Sequence, residues 1–256
     1  MAEWDAHLYS KFERERTLPA RDLCAAIALE RAERIIDIGC GIGNSTAVLK
    51  ARYPDARVTG ADLSESMLAA ARQSHPELDF IRFDASKDFG RLESGYDIVF
   101  SNACIQWIPD HPVLLRNMLG ALKAGGVLAV QTPMIDDEPI HRIITEIAAS
   151  ARWRARFPQQ QTFHNLTQEQ YFDELAAISS DFSVWQTTYC HRMPSHRHIL
   201  DWYKSTGLRP YLSLLNAADA AAFEAEVLAG VTAAYPIQAN GEIIFRFPRF
   251  FFTAVK

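Results

Sequence analysis

From Ile35 to Val130, short apolar runs alternate with stretches whose apolar residues recur at helical spacing, the signature of a parallel sheet covered by helices. The runs predict strands over Arg34–Ile38, Arg57–Ala61, Asp79–Phe83, Asp97–Ser101 and Val127–Gln131. Between them, helices are expected over Ser45–Tyr53, Ser64–Ser74 and Val113–Leu122. The last carries Leu115, Met118, Leu119 and Leu122 on one face and stops before Gly125-Gly126, which marks packing and not chemistry.

After Pro133 the regularity changes. Thr167-x-x-Gln170 is a capping-box start, and Phe223, Val227 and Val231 form a further helical stripe; both are assigned to a cap. The β-branched and aromatic runs Ser183–His191 and Glu242–Val255 suit strands that complete the sheet. The expected fold is α/β and Rossmann-like: a mostly parallel seven-stranded sheet flanked by helices, with a helical cap. The chain reads as one domain, 1–256, with a core of 21–132, 183–191 and 242–255 and a cap drawn from 1–20, 133–182 and 192–241.

Composition narrows the partners. With 48% hydrophobic residues in 256, the chain can bury a sizeable core and lacks the composition of a disordered one. A net charge of −5 without a Lys/Arg run argues against nucleic acid, whose phosphates demand a basic face. The opening Met1-Ala-Glu-Trp-Asp has neither the basic start nor the apolar run of a signal peptide, and no stretch reaches the ~18 apolar residues of a membrane span. A cytoplasmic protein acting on a small molecule, without a membrane partner, as a monomer or weak homo-oligomer, is the expectation. Cys24, Cys40, Cys104 and Cys190 are too dispersed for a disulfide framework or zinc knuckle. His7, His111, His141 and His164 have no partner at metal-ligand spacing, so no metal is expected and these histidines are assigned no chemistry.

The most informative segment is Ile35-Ile-Asp-Ile-Gly39-Cys40-Gly41-Ile-Gly43-Asn44-Ser45, a buried strand entering glycines and then a helix N-terminus. Glycines let a ligand lie on the backbone, and the helix N–H groups favour a polar or anionic group. The dinucleotide fingerprint G-x-G-x-x-G would need glycine where Asn44 stands, which favours a nucleoside without a pyrophosphate over NAD. Asp62, ending the second strand, can accept from both ribose hydroxyls; the alternative is the acid of a helix N-terminus. Asp84, after the third strand, can accept from an adenine amino group while Leu63 and Met67 clasp the ring, or it can be a turn aspartate.

Together with Asn102-Ala103-Cys-Ile-Gln106-Trp107 after the fourth strand and Gly125-Gly126 before the fifth, these motifs resemble, in content and order, the class I S-adenosylmethionine-dependent methyltransferases. The resemblance implies that Gly39, Gly41 and Gly43 hold the methionyl part, Asp62 the ribose and Asp84 the adenine, with Cys40, Asn44 and Ala85 also in the cofactor site. It also implies that Asn102 through Trp107 face the reacting methyl. Ile42 departs from the family, in which many members have proline or threonine there.

A narrower likeness covers nearly the whole chain. Trp4-x-x-x-x-Tyr9-x-x-Phe12-x-x-x-Arg16, Asn102-Ala-x-x-Gln106-Trp107-x-Pro-Asp-His, Thr206-Gly-Leu-Arg-Pro-Tyr211, Ala234-Tyr-Pro and Phe245-Arg-Phe-Pro-Arg249-Phe look like the trans-aconitate methyltransferases. That likeness implies esterification of a carboxylate of a tricarboxylic acceptor, with another small carboxylic or phenolic acceptor as the alternative. A carboxylate is already ionised at neutral pH, so no obligatory catalytic base is expected, and Gln106 and Trp107 would act by position. Arginine, whose planar fork matches a carboxylate, would hold the acceptor. Arg209 and Arg246 are the first candidates, Arg249 and Arg192 are held in reserve, and Tyr9, Trp107 and Tyr211 are expected beside them. Arg16, on one helical face with Tyr9 and Phe12, would reach the cofactor; the alternative is an amphipathic helix merely packed on the domain. An NAD oxidoreductase and a non-catalytic cofactor-binding module remain as readings from other classes.

Overall fold

The computed structural model describes residues 12–135, 137–157, 163–204 and 206–256. Seven strands form one sheet in the order β3-β2-β1-β4-β5-β7-β6. They are β1 Arg34–Ile38, β2 Arg57–Asp62, β3 Asp79–Arg82, β4 Tyr96–Asn102, β5 Leu122–Pro133, β6 Phe182–Met193 and β7 Ile243–Val255. β1 through β5 pair in parallel, and β7 runs antiparallel to β5 from Val127↔Val255 to Pro133↔Arg249. The sheet was thus legible from the apolar runs, and most ends fall within a residue or two of expectation. β5 is the exception, starting at Leu122 directly after its helix.

The chain divides into two compact units. One, the sheet unit, holds β1 to β5, the first half of β6 and the second half of β7: residues 13–133, 163–187 and 249–256. Its central strands are buried on both faces, β4 from Tyr96 through Ser101, which is why they read as continuous apolar runs. Around them lie α1 Glu13–Ala26, α2 Asn44–Arg52, α3 Glu65–Ser74, α4 His111–Ala121 and, after Thr167, α5 Gln168–Ile178. The capping box of α5 forms as expected, Thr167 Oγ1 accepting from the Gln170 N–H and Gln170 reaching back to the Thr167 N–H. The strand order reverses between β1 and β4, and in open α/β sheets a ligand crevice lies outside the carboxyl ends of strands at such a point.

The other unit comprises Phe12 and the described parts of 134–162 and 188–248. Its helices are α6 Pro139–Ala149, α7 His196–Lys204, α8 Arg209–Leu212 and α9 Ala217–Ala234. The stripe Phe223, Val227, Val231 is fully buried, as is Ile140 of α6. Trp153, Phe157, Tyr211 and Phe223 form an aromatic cluster, with Tyr211 stacked on Phe223 at 5.9 Å and edge-on to Phe157 at 5.1 Å.

The division differs from the expected core and cap at both kinds of segment: residues 188–191 and 242–248, expected in the core, group with the other unit. Residues 163–182 and 13–20, expected in the cap, group with the sheet. Tyr171 explains the placement of 163–182: its ring lies 5.5 Å from both Phe250 and Phe252 of β7, and its hydroxyl reaches His111 of α4. Among the described residues no helix is long and apolar enough to cross a membrane.

Candidate active site

The glycine segment between β1 and α2 takes backbone angles that side chains resist. Gly39, Gly41 and Gly43 have φ of 76°, 56° and 92°. A β-carbon on Gly41 would meet nothing within 4 Å, so the loop is open there. Gly43 is the N-cap of α2, which places the first helical N–H groups beside the loop. The Cys40 side chain turns away into a core cluster with Leu68, Ala71, Leu78 and Phe80, leaving only its main chain to serve a ligand.

Asp62 ties this loop to the next strand. Its Oδ2 accepts the Gly41 N–H at 2.9 Å and its Oδ1 the Ser64 N–H at 2.8 Å. Burial lifts its pKa, against the lowering pull of these backbone donors. Each oxygen keeps a further lone pair, so the carboxylate can still accept from a diol. Next to it, Ser64 caps α3 through the Met67 N–H, and Met67 itself is buried. Leu63 is half-buried.

Asp84 is engaged in its own turn. Its Oδ1 accepts from Ser86 Oγ at 2.6 Å and Ser86 N at 3.0 Å, its Oδ2 faces Lys87 Nζ at 3.3 Å, and the Ser86 hydroxyl foremost holds its pKa down. Ala85 beside it is buried. The side chain thus takes the arrangement of a turn aspartate.

At the end of β4, Asn102 Oδ1 is buried without a hydrogen-bond partner. Ala103 follows with φ 55°, its N–H donating to Gln131 O at 2.9 Å. A short 3-10 helix over Ile105–Trp107 then presents Gln106, buried and donating through Nε2 to Ala103 O, and Trp107, half-buried and edge-on to Phe163 at 4.8 Å.

The structure brings the glycine loop, Asp62 and the Asn102–Trp107 segment into the sheet unit, with Arg16 buried on α1 and Arg249 buried on β7 opposite Pro133. Arg192, Arg209, Tyr211 and Arg246 belong to the helical unit. Arg209, half-buried at the start of α8, has its pKa lowered by burial. Tyr211 is buried in the aromatic cluster. Arg246 is exposed, and its charge pulls against the burial that lifts the Glu138 carboxyl to about 7. Arg192 is held by Glu242 through two 2.8 Å hydrogen bonds. Tyr9 lies outside the described residues.

Sequence reasoning passed over Asp37, although it sits inside the glycine motif. It is fully buried, Oδ2 accepting from Ser45 Oγ at 2.6 Å and Thr46 Oγ1 at 2.7 Å, with Oδ1 unpartnered. Burial foremost raises its pKa to about 6.

Residues 35–126 match the methyltransferase domain family. The fold resembles that of the YcgJ protein from Bacillus subtilis, 17% identical, with a TM-score of 0.59 over 93% of this chain and 98% of that one. It also resembles Haemonchus contortus phosphoethanolamine N-methyltransferase 2, solved with S-adenosyl-L-methionine, which is 21% identical with a TM-score of 0.55 over 94% of this chain and 52% of that one. The chain is a class I, S-adenosylmethionine-dependent methyltransferase. Over its full length it is 44% identical to the whole of the trans-aconitate 2-methyltransferase of Rhodopseudomonas palustris strain BisB18. It is 42% identical, over 99% of its length and 98% of the relative's, to that of Enterobacter sp. strain 638. It belongs to the trans-aconitate 2-methyltransferase family.

Proposed function

We propose that the protein methylates one carboxylate of trans-aconitate to give a monomethyl ester, the observation carrying this reading being its full-length identity with relatives of that name. When bound, S-adenosylmethionine supplies an electrophilic methyl on a sulfonium sulfur. The residues present fit it: the space over Gly41 admits a ligand against the backbone, and Asn102 Oδ1 offers a buried, unpartnered acceptor. We assign Gly39, Cys40, Gly41 and Asn44 to the methionyl part by their main chain, with Arg16 and Ala103. Asp62 takes the ribose diol, and Leu63, Met67, Asp84, Ala85 and Asn102 complete the cradle.

The acceptor oxygen carries its own negative charge at neutral pH, carboxyl groups titrating near ~4, so the protein need not remove a proton. Its work is to orient that oxygen and to exclude water from two oppositely charged partners. Gln106 and Trp107 perform the first task, Gln106 held by Ala103 O and Trp107 by Phe163. We assign the remaining carboxylates to arginine, with Arg209 and Arg246 as first candidates and Arg249 behind them, and Trp107, Tyr9 and Tyr211 as neighbours of the acceptor. The two units are read as parts of one methyltransferase domain, in a cytoplasmic enzyme that is a monomer or weak homo-oligomer.

The test is transfer of a labelled methyl from S-adenosylmethionine to trans-aconitate, with the labelled ester as product. Turnover on another carboxylic or phenolic acceptor, but none on trans-aconitate, would move the substrate assignment while leaving the class intact.

A further inference from the structure

His111 is fully buried, is bonded at both ring nitrogens, and has no part in the chemistry assigned above. Its Nε2 lies 2.9 Å from Ile105 O and its Nδ1 2.7 Å from Tyr171 Oη. A carbonyl oxygen only accepts, so Nε2 must carry the proton. Nδ1 is then an acceptor, and the Tyr171 hydroxyl donates to it. One neutral tautomer is therefore selected.

This pair sits at the end of a longer chain of polar contacts. Tyr171 Oη also lies 3.4 Å from Asn165 Oδ1, which accepts from Thr132 Oγ1 at 2.9 Å. Asn165 Nδ2 donates to Pro133 O at 2.6 Å, and Thr132 Oγ1 lies 3.4 Å from Gln106 Oε1. Gln106 Nε2 donates to Ala103 O at 2.8 Å, and Gln106 O receives the His164 N–H at 2.9 Å. The segment after β4 is thus gripped twice, through the Ile105 carbonyl by His111 and through the Gln106 carbonyl by the His164 N–H. It needs such a grip: Ala103 sits at φ 55°, a conformation that costs a non-glycine residue energy and persists only when its surroundings impose it.

We infer that His111 and Tyr171 are positioning residues for methyl transfer, fixing the Ile105 carbonyl and through it the placement of Gln106 and Trp107 against the acceptor. The inference rests on the reading of Asn102–Trp107 as the acceptor-facing segment. His111 touches neither donor nor acceptor; it acts through Ile105.

Protonation would break the arrangement. Burial, the largest cause, lowers the His111 pKa, in keeping with a neutral ring. A proton on Nδ1 would place a donor against the Tyr171 hydroxyl, which would have to turn towards Asn165 Oδ1 and compete there with Thr132. The other titratable groups acting on the ring are His164, which opposes its protonation, and Asp110 at the start of α4, which favours it.

The test uses His111→Leu, Tyr171→Phe and His111→Gln in the full chain, and reads kcat, KM for trans-aconitate, and affinity for S-adenosylhomocysteine by calorimetry. In His111→Leu we expect kcat to fall about tenfold or more, since small misplacements at a reacting centre cost up to ~10²-fold, with S-adenosylhomocysteine affinity within about threefold. His111→Gln should recover most of the loss, because its amide nitrogen can donate to Ile105 O where the Nε2–H does. Tyr171→Phe keeps the ring against Phe250 and Phe252, so it tests the hydroxyl even if a His111 variant does not fold. Amide hydrogen exchange at Trp107 and Ile108, whose N–H groups bond to Cys104 O and Ile105 O, should quicken in His111→Leu and Tyr171→Phe without any ligand. Lowered melting temperatures with kcat within threefold of wild type in every variant, or His111→Gln no better than His111→Leu, would overturn the inference. Should wild type fail to turn over trans-aconitate, the proposed function fails, and unchanged exchange at 107–108 would by itself overturn the positioning role.

Discussion

A β-carbon on Gly39 would fall 2.2 Å from Cys104 Sγ and 2.3 Å from Cys104 Cβ, so the glycine loop after β1 and the segment after β4 touch backbone to side chain. Gly39→Ala therefore imposes two costs: a side chain at φ 76° and a displaced Cys104. Lower thermal stability and at least a tenfold loss of S-adenosylhomocysteine affinity are expected. Adding Cys104→Gly should return part of the stability, whereas Cys104→Ala should not, because the clash includes Cβ. Wild-type affinity in Gly39→Ala would show that this contact does not shape the cofactor site.

Both oxygens of Asp62 accept backbone N–H groups, from Gly41 and from Ser64. In Asp62→Asn one of these N–H groups must face an amide NH2, so the usual conservative change sets donor against donor. Asp62→Asn should consequently weaken S-adenosylhomocysteine binding by tenfold or more, a loss of ~1.4 kcal/mol or greater, and Asp62→Ala by at least as much. Calorimetric titration of the three proteins checks this. An Asn variant that binds like wild type would remove Asp62 from the ribose assignment.

Asp62 also shows what the sequence could reveal. It ends an apolar run and follows the glycines by about 20 residues, a local pattern that needs no tertiary knowledge. The strands of the sheet unit were readable for the same reason. α6 and α7 are harder to read in the sequence, although Ile140, Ile144 and Ala148 recur at helical spacing and are buried. The aromatic-rich, irregular stretch around them masked the period. The link from His111 to Tyr171 is invisible in the sequence because the two lie 60 positions apart, and only the packing of α5 on α4 joins them. The arginines were ranked by their aromatic neighbours in sequence, which does not reveal that Glu242 holds Arg192 or that Arg249 is buried.

Those arginines can be separated by kinetics. An arginine that holds an acceptor carboxylate contributes a charge-assisted, bidentate contact, and its loss should raise KM for trans-aconitate by tenfold or more with little change in S-adenosylhomocysteine affinity. Arg249→Lys and Arg209→Lys keep the charge but lose the fork, so they should recover only part of the loss. An arginine variant with unaltered KM drops out of the acceptor site.

Asp37 makes a prediction about stability and pH. Its pKa is about 6 in the folded chain, against an ordinary carboxyl value of about 4 when unfolded. Below about pH 4 the group is protonated in both states and costs nothing. Between about 4 and 6 the folded state holds the proton more tightly, so this group's contribution to stability declines as pH rises. Above about 6 it is ionised in both states, and the folded protein carries the whole penalty, on the order of 3 kcal/mol for a shift of about two units. Asp37→Asn removes the charge, while its carbonyl oxygen can still accept from the hydroxyls of Ser45 and Thr46. The melting temperature of the variant relative to wild type, without ligand, should accordingly climb from pH 4 to about pH 6 and level off above it. A difference that stays flat across that window would mean that Asp37 titrates as an ordinary carboxyl, despite its burial.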